Sequence, residues 1–131
     1  MAAPVQRQAL SFEPDAADGR SAAAGRKLLD CVLGRRGRAE RARREEALRR
    51  GAAATGAFPE PEDDGLGAAR ALVDKIARHA YRVTDEDIAE ARAGGWSEDE
   101  LFDVTVATAL GAGFSRRAIG RDAVARWEAR Q

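Results

Sequence analysis

The sequence predicts an all-α fold, and three observations carry that prediction. Apolar residues recur at three- and four-residue intervals in several windows. Two helix-start signatures follow one another, Val83-Thr84-Asp85-Glu86-Asp87-Ile88 and Trp96-Ser97-Glu98-Asp99-Glu100-Leu101. No stretch alternates apolar and polar residues as a half-buried strand does.

The elements follow in order. Residues 1–19 mix Pro4, Pro14, Gly19 and scattered acids without periodicity and read as a disordered tail. Residues 20–54 form a charged helical segment. Within it, residues 21–33 gather Leu28, Leu29, Val32 and Leu33 on a short helix, and Gly34 and Gly37 weaken the junction that follows. Residues 38–54 make a second helix with few apolar anchors, mainly Ala42, Ala47 and Leu48. Glu45 and Glu46 precede Arg49 and Arg50 by four residues, worth only about 0.2–0.5 kcal/mol per pair, so this helix needs docking to persist. Residues 55–66, with Pro59, Pro61 and clustered acids, read as a linker.

Residues 67–131 are better specified and read as the helical core. Ala69, Leu72, Val73, Ile76, Ala77 and Ala80 have the spacing of an amphipathic helix ending near Tyr81. Thr84 and Ser97 are N-cap hydroxyls, each followed by acids in the first turn and an apolar residue at the fourth helical position. That combination is a capping box with a hydrophobic staple. Gly94 and Gly95 end the helix between them, one in the left-handed conformation. The longest apolar helix runs from Glu98 to about Ala112, and residues 114–130 continue it, with a bend allowed at Gly113 or Gly120. It is apolar on almost every side, which predicts burial on every side, against sister subunits in a chain this short. Ala107, Gly111 and Ser115 form a ridge of small residues that admits another helix closely, and Ala109 and Gly113 form a second.

Composition narrows the function. Of 131 residues 44% are apolar, many of them alanine, and 5% aromatic. Alanine buries little area, so oligomerisation is a natural supplement to the core. The 22 basic and 22 acidic side chains cancel, which disfavours a general nucleic-acid binder. The charges are segregated, however. Residues 35–50 hold eight arginines against three glutamates, and residues 60–103 hold 13 acids against five bases. The blocks either attract one another or lie on solvated faces. Cys31 is the only cysteine, which excludes an intrachain disulfide and a multi-cysteine metal site and suits the cytoplasm. No apolar run reaches the roughly 18 residues of a membrane span. No metal ligand set and no cofactor motif is present; Gly111, Gly113 and Gly120 lie in helical pattern and are not a phosphate loop.

The segment 71–88, with Gly95-Trp-Ser-Glu-Asp-Glu-Leu-Phe102 and residues 107–116, resembles the alkylhydroperoxidase D-like / carboxymuconolactone decarboxylase superfamily over roughly residues 67–127. The resemblance implies an all-α helical bundle and a homo-oligomer. Peroxidase-type members carry Cys-x-x-Cys-x-x-x-His with a preceding glutamate, where one thiolate attacks peroxide and the second resolves it. Aligned on Gly95, the cysteine places fall on Ala80 and Val83, the histidine place on Asp87 and the glutamate place near Ala68. None is kept, so the resemblance implies a degenerate active site without thiol peroxidase activity.

The leading expectation is a cytoplasmic, homo-oligomeric interaction module that needs no cofactor, with a protein partner. The alternative is a cofactor-free lyase or lactonase acting on a small acid at a subunit interface, with His79, Tyr81 and Asp85 moving protons. Against it, His79 also reads as a helix C-terminal residue favouring the dipole, and Asp85 as a first-turn acid. Cys31, among Leu28, Leu29, Val32 and Leu33, reads as a packed small hydrophobe. A third reading places phosphates on residues 35–50, although no nucleic-acid motif accompanies them.

Overall fold

The computed structural model describes residues 20–34, 37–62 and 64–131. The expected N-terminal tail lies outside these residues, as do Arg35, Arg36 and Asp63. Five α-helices follow in order: α1 (Arg20–Leu33), α2 (Arg41–Ala53), α3 (Arg70–His79), α4 (Asp85–Ala93) and α5 (Glu98–Glu128). Short 3-10 turns at Gly67–Ala69 and Ala80–Arg82 flank α3. No strand occurs among the described residues, so the chain is all-α as its periodicity predicts. No helix among them is long and apolar enough to cross a membrane.

Both capping boxes are present. The Asp87 and Glu100 amides donate to the hydroxyls of Thr84 and Ser97 at 3.4 and 3.1 Å. In return the Thr84 and Ser97 amides donate to the Asp87 and Glu100 carboxylates at 2.8 and 3.1 Å. The staple residues Trp96 and Leu101 are both buried in the core. Between the two boxes Gly95 turns the chain with φ of +102°, which favours glycine. Gly94 is required for a different reason, because a Cβ there would meet the Ala68 methyl at 2.1 Å.

The most extensive packing in the molecule joins α2 to α5. The ridge of Ala107, Gly111 and Ser115 is buried, and α2 lies close against it. A Cβ on Gly111 would lie 1.9 Å from the Leu48 carbonyl oxygen, and one on Gly51 2.0 Å from that of Thr108. Ala47, Ala52 and Ala53 are buried on the α2 side. The hydroxyls of Thr55 and Ser115 bond to each other where α2 ends. The charged helix thus docks on its own chain's core, to which Ala39, Ala47 and Leu48 contribute alongside Val73, Val104 and Ala107.

Three sequence expectations need correction. The arginine-rich block is no simple solvated face, because Arg44, Glu46 and Arg50 are buried. Arg44 donates to the carbonyls of Val32 and Gly34, both at 2.6 Å, and to that of Ala39 at 3.0 Å, tying the end of α1 to α2. Glu46 accepts from Arg50 at 2.9 Å and from the Gly65 amide at 2.7 Å. No buried side-chain polar atom among the described residues lacks a partner.

Cys31 is exposed, not packed. Helical spacing turns Ala22, Gly25, Leu29 and Val32 inward, and Cys31 falls off that face. The last helix is not buried all round either. Leu101, Val104, Ala107, Thr108, Gly111, Ala112 and Ser115 are covered by the chain's own helices, while Phe102 and Val106 on the other side are exposed. Intrachain packing therefore supplies one covered face without any subunit contact. The helix also passes unbroken through Gly113 and Gly120, neither of which has positive φ.

Gly51→Ala and Gly111→Ala each test the α2–α5 approach. Elsewhere in a helix such a change adds stability of roughly 0.5–1 kcal/mol. Here both should destabilise by about 1–3 kcal/mol or more, because the neighbour that must move is backbone. Urea unfolding followed by circular dichroism reads the sign; an increase in stability would contradict the packing.

Candidate functional site

An apolar cavity opens where α3, α4 and the start of α5 converge, with a volume of about 460 Å³. Ile76 of α3, Val83 of the turn, Ile88 of α4, and Leu101, Phe102 and Thr105 of α5 are among its lining residues. Glu98 is the only ionisable side chain lining it. Phe102 is 68% exposed, while its neighbour Leu101 is buried.

The capping chemistry builds this groove. Val83 and Ile88 occupy the staple positions of α4, which brings both to the same apolar wall. Lys75 of α3 donates from Nζ to both carboxylate oxygens of Asp87, at 2.9 and 2.8 Å. Because Ile76 and Ile88 immediately follow Lys75 and Asp87, this ion pair fixes the two walls relative to each other. The Lys75 ammonium, then the Thr84 amide, holds the Asp87 carboxyl below the usual aspartate range. The Arg43 guanidinium stands 4.7 Å from the Trp96 ring centroid and 3.8 Å from Glu100. The oppositely charged segments do meet within one chain there, and the Asp103 carboxylate accepts from the Arg38 and Ala39 amides at the start of α2.

The three residues proposed for proton transfer lie elsewhere. His79, Tyr81 and Asp85 are all exposed, and none lines the groove. His79 and Tyr81 meet edge to face with ring centroids 6.0 Å apart, and the Arg82 guanidinium stands 5.5 Å from the centre of the Tyr81 ring. Asp85 sits in the first turn of α4. The arrangement brings His79 and Tyr81 together, with Asp85 on the next helix. No group of three His, Cys, Asp or Glu side chains among the described residues is placed to hold a metal ion. The sequence reading missed Phe102, whose only signal was its position beside Leu101, one step off the buried face of α5.

The Asp87–Lys75 pair has a pH signature. A carboxyl with a lowered folded pKa contributes stability that is complete above the ordinary aspartate pKa, near 3.9, and is lost as pH falls through the folded value. Asp87→Asn should lower the melting temperature at neutral pH and make its decline between about pH 5 and pH 2 shallower. Parallel acid profiles of wild type and variant would contradict this assignment.

No family model, curated protein or solved structure matches the chain.

Proposed function

We propose that this chain is a helical interaction module whose working surface is the groove between α3, α4 and α5. The observation that carries the reading is the exposure of Phe102 at the mouth of an apolar cavity with a single ionisable lining residue. Nucleophilic and acid–base chemistry needs titratable groups converging on a reacting atom. The groove offers instead aliphatic and aromatic surface, suited to the apolar face of a helix. Burying one large apolar side chain contributes about 1.5–3 kcal/mol, so a few anchors there can sustain specific binding once ordering costs are met. The reading rests on the groove and not on the alkylhydroperoxidase D-like resemblance. It takes the chain as cytoplasmic, in keeping with its lone thiol, and assigns no redox role to Cys31.

An apolar dye tests the groove directly. In dilute protein, Nile red should bind the wild type, and Phe102→Glu should weaken that binding about tenfold, the equivalent of roughly 1.4 kcal/mol. Phe102 is exposed, so helicity should not change. Equal dye binding by the two proteins, or none by the wild type, would contradict the reading.

A further inference from the structure

The side of α5 turned away from α2 carries a second pattern. Phe102, Val106, Ala109, Gly113, Arg116, Gly120, Ala123 and Trp127 follow at alternating steps of four and three residues, and every one is exposed. That spacing is the seam of a helix pair, running straight along one face for about 37 Å from Phe102 to Trp127 at 1.5 Å per residue. The seam is nearly palindromic in size. Aromatics close both ends, Val106 and Ala123 come next, and Ala109, Gly113 and Gly120 leave the middle slim. The one long side chain, Arg116, leaves the seam, its guanidinium donating to the Ala77 carbonyl of α3 at 3.3 Å.

We infer that the occupant of the groove is a second copy of this chain, with two α5 helices paired antiparallel across this seam. This inference rests on the groove being a docking surface and names what docks there. An antiparallel pair centred between Phe114 and Ser115 sets Phe102 opposite Trp127 at both ends, Val106 opposite Ala123, Ala109 opposite Gly120, and Gly113 opposite Arg116, whose side chain the glycine leaves room for. The indole of one copy then reaches the groove that Phe102 borders in the other. Trp127 cannot fill its own groove, because one unbroken helix separates it from Phe102 by about 37 Å.

Charge selects the same arrangement. Residues 84–103, around the groove, hold eight acids and only Arg92 as a base, a net of −7. Residues 116–131 hold five arginines against Asp122 and Glu128, a net of +3. Antiparallel pairing sets these opposite ends together, and parallel pairing sets like against like. Residues 1–19 are a poorer occupant, since Arg7 against Glu13, Asp15 and Asp18 gives −2, the sign of the groove itself. Each copy offers both halves of the contact, which makes the pair a closed two-fold dimer.

Sedimentation equilibrium of the full chain at micromolar concentration tests this. The wild type should have twice the 14.0 kDa mass of the chain. Phe102→Glu, Trp127→Arg and Gly113→Gln should each weaken association at least about tenfold, roughly 1.4 kcal/mol, with helicity intact. Among the described residues nothing lies within 4 Å of where a Cβ on Gly113 would stand, so the bulkier residue has room within the chain's own helices. An equimolar mixture of Phe102→Glu with Trp127→Arg should recover the dimer, because antiparallel register restores Phe102 against Trp127 at one end and joins the new opposite charges at the other. A dimer that survives the single substitutions, or a mixture that fails to recover, overturns the inference. A monomeric wild type that still binds Nile red through Phe102 overturns the self-pairing alone and leaves the groove reading intact.

Discussion

The approach of α2 to α5 at Gly51 and Gly111 is the constraint on which the rest of the molecule depends. Each glycine stands where a methyl group would collide with the other helix's backbone, so the two crossing points lock the pair at one separation. The contact gives a helix with few large apolar side chains a reason to be ordered. Ala47, Leu48, Ala52 and Ala53 bury little area one by one. Close packing multiplies their dispersion contacts instead.

The same contact takes charge into the interior. Glu46 and Arg50 are almost wholly shielded, and such a pair is by itself weak evidence for stability, because desolvation offsets most of the attraction. Their value here is positional. Glu46 holds the Gly65 amide at the entry to α3, and Arg44 holds the carbonyls that end α1. One helix therefore fixes the start of α3 and the close of α1. With α2 seated, α3 lies against α5, and the Lys75–Asp87 pair sets α4 beside α3. The groove is the space left between these three helices, and the seam is the exposed side of α5 turned away from α2.

Features that are local in the chain were legible in the sequence. Thr84 and Ser97 announce their helices because a cap is built from residues three positions apart, and a left-handed terminus was readable in the Gly94-Gly95 pair, where the structure gives it to Gly95. The ridge of Ala107, Gly111 and Ser115 showed that a helix would pack closely, but not that the helix would be the chain's own α2. Long-range features were hidden. A run such as Arg41 to Arg50 looks solvated because periodicity records residue type and not the acceptors that meet it, here the carbonyls of Val32, Gly34 and Ala39. Phe102 was obscured because α5 is apolar on several sides, so no single stripe identified its buried face. His79 and Asp85, near in sequence to the groove, stand exposed at the end of α3 and the start of α4.

Native-state hydrogen exchange measures most directly whether α2 belongs to the core. The amides of Ala47 and Leu48 in α2 should open with the same free energy as those of Val104 and Ala107 in α5, as one cooperative unit. Early exchange along α2, with α5 still protected, would show that the charged helix is an appendage and that the separation set by Gly51 and Gly111 does not organise the fold.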